Sequence, residues 1–299
     1  MAQFESCFVV DGYRFLPYHD KAKVESRAVD KFKFRPGDVI VVGFPKSGNT
    51  WLVEVLKAMY NDWGLEKYGE AESAVFVEER TLYNSYFSDK RKEFLETVKC
   101  EDIPSPRLMR THIPATLFPC HLLKDKGVKV IHISRNPKDV LVSAYYFWKS
   151  WAHGALSTGD WEQTVNDFIE DRQAFTPWVR HVGDWSLKGI EDNVFQVTYE
   201  EMKQDLPGVV TKMADFLQRP LTEEDIERVV RTTTVEIMRN SLSKFLVLDD
   251  DIIPEGENPM VRKGIVGDWK NHFTVAQSEL FDSKIGEKIR SINSNIPYQ

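Results

Sequence analysis

Two periods alternate along this chain. Val39-Ile-Val-Val42 is a continuous β-branched run, as expected of a strand covered on both faces of a parallel sheet. Beyond the loop that follows, Leu52, Val55, Leu56 and Met59 recur at helical spacing and lay one apolar stripe toward that sheet. The same plan returns at Val128–Ile133, a second buried strand, followed by Leu141, Ala144, Tyr145 and Trp148 on the core side of a helix. Leu108-Met-Arg-Thr-His-Ile-Pro114 is a shorter strand that Pro114 halts, which leaves His112 at its end. Trp161, Val165, Phe168 and Ile169 mark a further helix, Val194–Tyr199 another strand, and Val209, Met213, Phe216 and Leu217 the helix after it. Thr222-Glu-Glu-Asp225 is a capping-box start, and a last helix is expected after residue 274. Strands alternating with helices predict an α/β fold: a single three-layer domain over residues 1–299 around a mostly parallel sheet.

Three stretches carry less information. Residues 1–36 hold scattered aromatics and no long period, and are expected to cover part of the body. Residues 61–104 mix charged and aromatic residues, with one helix expected over Lys90–Lys99. From Phe245 to Lys263 the chain turns irregular: Asp249-Asp-Asp251 and Glu255-Gly-Glu257 read as solvated surface, but Arg262-Lys-Gly264 could close over an anion. A loop of that length inside a compact domain is more often functional than idle.

Composition removes several classes of function. With 42% hydrophobic residues, 28% charged residues and a net charge of −7, nothing chain-wide attracts nucleic acid or an anionic membrane surface, so an anionic ligand needs a local cluster of cations. Cys7, Cys100 and Cys120 are odd in number and lack metal-ligand spacing, which favours a reducing compartment. No basic-then-apolar leader and no 18-residue apolar run is present, and a cytoplasmic protein without a bound metal is expected.

The two strand-to-helix loops carry the chemistry. Gly43-Phe-Pro-Lys-Ser-Gly-Asn-Thr50 joins a buried strand to a helix whose first N–H groups lack intrahelical partners, which makes an anion site. It is close to a nucleotide-binding P-loop, but Lys46 precedes the second glycine where a Walker A lysine would follow it. A plain strand-turn-helix carrying Lys and Thr remains the alternative on this stretch alone. In Ser134-Arg-Asn-Pro-Lys-Asp139, Pro137 suits a first helical turn and Asp139 complements the helix dipole.

Four segments together resemble the cytosolic sulfotransferase family: Phe44-Pro-Lys-Ser-Gly-Asn-Thr-Trp51, Arg110-Thr-His-Ile-Pro114, Arg135 through Ser143, and Arg262-Lys-Gly-Ile-Val-Gly-Asp-Trp-Lys270. They fall in the family's order and the similarity runs over nearly the whole chain. The resemblance implies a P-loop-like strand-loop-helix phosphosulfate site. It implies transfer of a sulfuryl group from 3′-phosphoadenosine 5′-phosphosulfate (PAPS) to a hydroxyl or amine of a small, largely apolar acceptor, leaving 3′,5′-diphosphoadenosine (PAP). Since the transferred oxygens stay negative throughout, positioning and charge stabilisation do most of the work, as in phosphoryl transfer.

Carried over residue by residue, the resemblance makes Lys46 the stabiliser of the leaving group, His112 the general base, and Arg110 and Ser143 further catalytic contacts. Ser47, Gly48, Asn49 and Thr50 would hold the 5′-phosphate, Arg135 and Ser143 the 3′-phosphate across a helix start, and Arg262, Lys263 and Gly264 would close from the late loop. Trp51, Tyr199, Thr234 and Met238 match adenine contacts, and Phe147 with His112 would line the acceptor pocket. Lys270, Thr274, Val275 and Glu279 match a short homodimer contact. Taken alone, a histidine at a strand end is more often structural, Ser143 could be a plain helix-surface serine, and Tyr199 a core aromatic. Two positions depart from the family pattern: Arg110 replaces a lysine, exchanging an ammonium for a planar guanidinium, and Val235 stands where an aromatic is expected beside the adenine. The rivals are a P-loop kinase using ATP and Mg²⁺, disfavoured by the lysine's place and the missing Walker B acid, and a non-catalytic binding member of the same fold, disfavoured by the joint presence of Lys46 and His112.

Overall fold

All four side chains of Val39–Val42 are buried, and the strand they form is the middle of the sheet. The computed structural model describes residues 7–63, 74–83, 93, 95–150, 159–185, 191–242 and 260–291. An antiparallel hairpin, β1 (Phe8–Val10) and β2 (Tyr13–Phe15), precedes the sheet. The sheet comprises β3 (Val39–Val42), β4 (Val75–Phe76), β5 (Leu108–Thr111), β6 (Lys129–Ser134) and β7 (Val194–Thr198). Its spatial order is β4-β5-β3-β6-β7, with every neighbouring pair parallel.

The helices in chain order are α1 (Lys21–Glu25), α2 (Asn49–Met59), α3 (Val77–Thr81), α4 (Cys120–Lys126), α5 (Pro137–Ser150) and α6 (Trp161–Ile169). They continue with α7 (Trp178–Asp184), α8 (Tyr199–Gln204), α9 (Leu206–Leu217), α10 (Glu223–Thr232), α11 (Val235–Leu242) and α12 (Val275–Ser291). The three layers follow from the alternation of β3. Ile40 and Val42 enter a core shared with Val140, Leu141, Phe168 and Phe281, while Val39 and Val41 enter another with Leu52, Leu56, Val210 and Met213. With both faces covered, each of these aliphatic side chains stabilises the fold by about 1.5–3 kcal/mol, and no polar residue is tolerated in the run.

Register sets the site. Val42 pairs with Thr111 on one side and His132 on the other, and Ser134 pairs with Thr198. Gly43 and His112 therefore leave the sheet side by side at its carboxyl edge, and Arg135 and Tyr199 leave it as a second pair two residues further along. Strands are added to one side of β3 and then to the other, and in open parallel sheets a ligand crevice lies at such a reversal. At the opposite edge the buried Arg107 guanidinium grips Asp38 through Nε at 2.9 Å and Nη2 at 2.6 Å, tying the starts of β5 and β3 together.

Some elements differ from expectation. Tyr199 does not end β7; Thr198 forms a capping box with Glu201 and Tyr199 opens α8. Tyr145 is half-buried, while Val140 and Phe147 take fuller places in the core. The hairpin, β4 and α3 lie in the uninformative stretches, where two- and three-residue strands leave no readable period. The helix expected over Lys90–Lys99 lies partly outside the described residues, with 93 and 95–97 helical, and the acidic stretches at 249–251 and 255–257 lie outside them altogether.

Candidate active site

The loop after β3 is held in an unusual backbone path. Lys46 has φ 68° and Gly48, which precedes α2, has φ 107°. A Cβ on Gly48 would stand 2.7 Å from Cδ2 of Tyr199, so only glycine lets the loop lie against that ring. Asn49 Nδ2 donates to the carbonyl of Phe44 at 3.0 Å and closes the loop on itself. Ser47 is fully buried and its Oγ has no hydrogen-bond partner, while Thr50 is part-exposed in the first turn of α2.

Cations converge on this loop from two others. Arg135 Nη1 donates to the Lys46 carbonyl at 3.3 Å, its guanidinium lies 4.2 Å from the Tyr199 ring centroid, and its Nη2 donates to the Ile265 carbonyl at 3.2 Å. Arg262 donates to Asp268 at 2.5 Å and sits 4.7 Å over Tyr146; Lys263 reaches the other Asp268 oxygen at 2.9 Å. The Nε atoms of Arg135 and Arg262 are buried without partners. Lys46 Nζ rests 3.9 Å from the Phe147 ring centroid, and its amine is pushed down to about 7, chiefly by burial and then by the charges of Arg135 and Arg262. Three cations thus share one place, and three buried polar atoms there lack partners. That is the fit expected of a multiply charged anion.

The late segment is fastened by Asp139, whose carboxylate accepts from the N–H groups of Gly267 at 2.7 Å and Trp269 at 2.9 Å. Sequence reasoning assigned Asp139 only to the helix dipole. Gly264, at φ 67°, lies so close to α11 that a Cβ would stand 2.3 Å from Val235 Cγ2, and Arg239 Nη2 donates to the Arg262 carbonyl at 2.6 Å. Val235, which stands where an aromatic is expected beside the adenine, packs against Gly264.

The remaining residues fall around this centre. Trp51 Nε1 donates to the Thr233 carbonyl at 3.0 Å, and its ring meets Tyr199 edge-on at 5.3 Å. Thr234 is exposed and caps α11 through Oγ1 to the Ile237 N–H at 3.4 Å, while Met238 is buried. Ser143 is half-exposed in the second turn of α5, not at its start. The helix terminus itself therefore does not present it; i+4 and i−3 spacing place it on the helix stripe of Asp139 and Tyr146.

His112, one residue past β5, meets Gly43 across the sheet edge. Its Nδ1 lies 2.7 Å from the Gly43 carbonyl, an acceptor only, so Nδ1 carries the proton and Nε2 is left as a bare acceptor. Its main-chain N–H donates to Glu78 Oε1 and its carbonyl accepts from His181 Nε2 at 2.8 Å. The ring lies among Phe76 and Phe175. Burial pushes its pKa down to about 3, opposed by the Gly43 bond and assisted by the charges of Arg110, His181 and Lys46. The apolar surroundings and neighbouring cations hold the imidazole uncharged. Arg110 stacks on Phe76 at 4.6 Å with its Nε unpartnered. Sequence reasoning missed Glu78 and His181, since an acid in a charged Val-Glu-Glu-Arg stretch and a histidine in a short helix give no signal of burial. Among the described residues, no His, Cys, Asp and Glu cluster could hold a metal ion, and no helix is long and apolar enough to cross a membrane.

Residues 36–293 match the sulfotransferase domain family. Sulfotransferase 1E1 of Homo sapiens is 35% identical over 266 residues, covering 88% of this chain and 87% of its own. The chain belongs to the sulfotransferase family. Sulfotransferase 1B1 of Mus musculus is likewise 35% identical to this sulfotransferase over 262 residues, covering 87% of this chain and 85% of its own. The crystal structure of mouse sulfotransferase SULT7A1 complexed with PAP has a TM-score of 0.75 at 27% identity, covering 97% of this chain and 96% of that one. A retinol dehydratase structure shares the fold, with a TM-score of 0.77 at 22% identity, covering 96% of this sulfotransferase and 90% of that chain.

Proposed function

We propose that this sulfotransferase, working as a single domain in the cytoplasm, moves the sulfuryl group of PAPS to a hydroxyl of a small, largely apolar acceptor. The observation that carries the reading is the meeting of Lys46, Arg135 and Arg262 beside His112, with Ser47 Oγ and two arginine Nε atoms buried and unpartnered. PAPS, when bound, supplies the group to be transferred and the two phosphates these cations match.

Each residue then has a task set by its placement. Ser47, Gly48, Asn49 and Thr50 hold the 5′-phosphate with main-chain N–H groups and hydroxyls at the start of α2. Arg135, Ser143, Arg262, Lys263 and Gly264 hold the 3′-phosphate, Arg135 through its unpartnered Nε. Trp51, Tyr199, Thr234 and Met238 border the adenine. His112 Nε2 takes the acceptor proton as the oxygen attacks sulfur, since its Nδ1 is already committed to Gly43. Lys46 places its ammonium on the bridging oxygen, where negative charge develops as that bond breaks. Arg110 faces the transferred group with a guanidinium steadied on Phe76. Phe147 and His112 wall the acceptor pocket, and the exposed residues Lys270, Thr274, Val275 and Glu279 form a homodimer contact.

Two measurements test the reading. Calorimetry is expected to find PAP bound without magnesium, and magnesium-dependent ATP binding in its place would overturn the donor assignment. A radiolabelled-sulfate assay over phenols, steroids and aliphatic alcohols is expected to find transfer to at least one, and cofactor binding without turnover on any acceptor would favour a non-catalytic role.

A further inference from the structure

Beyond the last ladder pair of β5, the peptide groups of His112 have no strand to pair with, yet both are satisfied. Its N–H goes to the carboxylate of Glu78 on α3, and its C=O takes a hydrogen bond at 2.8 Å from Nε2 of His181 on α7. Both side chains are fully buried. The imidazole itself is tied to Gly43 at the end of β3. One residue is therefore gripped from three elements that are distant in sequence. We infer that Glu78 and His181 are positioning residues for the base, a pair of buried side chains that hold the His112 backbone at both its polar groups and so aim Nε2 at the acceptor.

The chemistry of the two groups fits this task and fits a purely packing role poorly. A buried carboxylate and a buried imidazole are costly tenants of a core, and apolar residues of the same volume would usually serve stability as well or better. Each is moreover only half satisfied: Glu78 Oε2 and His181 Nδ1 are buried without a hydrogen-bond partner. Both bond to His112, and Glu78 also interacts with the neighbouring Thr111 hydroxyl at the end of β5. His181 faces a carbonyl, so Nε2 carries a proton, and burial among Phe44 and Tyr13 keeps its pKa down at about 4, which leaves the ring as the neutral Nε2–H tautomer near neutral pH. Burial raises the Glu78 carboxyl to about 7, against the pull of the His112 N–H and Arg110, and either protonation state leaves an oxygen to accept from that N–H. A sulfuryl transfer that depends on alignment is sensitive to this hold, because a misplacement of about 1 Å can slow a reaction about 100-fold.

The inference rests on His112 being the base, and the test separates the two. In the wild-type protein, ¹⁵N NMR of labelled histidines is expected to show His181 protonated on Nε2 and His112 on Nδ1; the opposite tautomer at His181 could not donate to the carbonyl and would overturn the inference. Glu78→Leu and His181→Phe should each lower kcat about 10- to 100-fold, with both KM values and PAP affinity within about twofold of wild type. Glu78→Gln and His181→Gln, which keep an acceptor and a donor at the same places, should stay within about threefold. In a His112→Ala background neither large variant should reduce residual single-turnover rates further. Losses that multiply in that background, or that fall on KM, would mean the two residues act elsewhere. Near-normal turnover of His112→Ala alone would remove the base assignment and this inference with it, whereas an inactive His112→Ala with an unaffected Glu78→Leu and His181→Phe would remove only the inference. PAP titration reports folding of every variant, and if one large variant does not fold, the other and the tautomers decide.

Discussion

The ammonium of Lys46 lies 3.9 Å from the centroid of the Phe147 ring. Burial and the two nearby guanidinium groups of Arg135 and Arg262 oppose the charge that this aromatic face holds. With the amine lowered to about 7, the empty site loses its proton as pH rises through neutrality, and a bound anion restores it. PAP binding at pH 8 should therefore take up close to one proton, measured by calorimetry in buffers of different ionisation enthalpy. At pH 6 the uptake should fall toward zero, and Lys46→Met should abolish it at both.

Removal of either proposed catalytic side chain should separate chemistry from folding. His112→Ala is expected to lower kcat by about 100- to 10,000-fold, the usual reach of general base catalysis, while the melting temperature changes by a few degrees. Lys46→Ala should give a loss of similar size. Steady-state kinetics at saturating donor and acceptor, paired with thermal melts, checks both. Arg262→Ala should instead act on donor affinity, raising the PAP dissociation constant about tenfold or more with a smaller effect on kcat.

Gly264→Ala tests the fastening of the late segment. The added Cβ would stand 2.3 Å from Val235 Cγ2 at a left-handed φ of 67°, forcing the Arg262 loop away from α11. PAP affinity is expected to fall about tenfold or more. Adding Val235→Ala removes the obstructing methyls and should return part of the loss, leaving the backbone strain.

Buried histidines make stability fall in mild acid. His19, His112 and His132 are each lowered by burial to about 3 and His181 to about 4, whereas unfolded histidines titrate near 6.5. Below pH 6.5 the unfolded chain therefore binds protons the folded chain refuses, and that stability is lost as pH falls toward 4. Glu78, raised to about 7 from 4.5, works the other way between those values, because its folded form holds a proton the unfolded form releases. Burial raises Glu200 and Asp171 in the same sense, so the carboxyls offset part of the loss and the four histidines set its direction. Urea midpoints between pH 5 and 6 should show it, and His132→Phe in β6 should lessen it.

Val275 is 75% exposed at the start of α12, and Thr274 and Glu279 are exposed as well. If these residues and Lys270 form the contact between two copies, Val275→Glu should convert a dimer to a monomer in sedimentation equilibrium with PAP binding unchanged.

Local pattern carried a good part of this molecule. The β-branched run Val39–Val42, the stripe of α2, the capping box at Thr222 and the helix Trp161–Ile169 are short-range signals, and each element appears where its pattern lies. The Lys46 and Arg135 loops could be singled out as strand-to-helix turns carrying cations, and the Arg262 segment as a basic triplet in a long irregular stretch. β4, at two residues, is too short for any period, and α3 reads as charged surface although Glu78 is fully buried. Tyr199 looked like a strand residue because the preceding β7 pattern is apolar, but the Thr198 cap turns the chain into a helix there.

The amino-acid order alone determined which of the longer segments are strands, which are helices, and which turns can bind an anion, because those depend on residues within a turn or two of each other. Only tertiary structure decided that β5 and β6 flank β3, and hence that His112 meets Gly43 and that Arg135 meets Lys46. Strand order depends on crossovers and shared cores spanning dozens of residues, and so do the burial that lowers Lys46 and the grip of Glu78 and His181 on the His112 backbone.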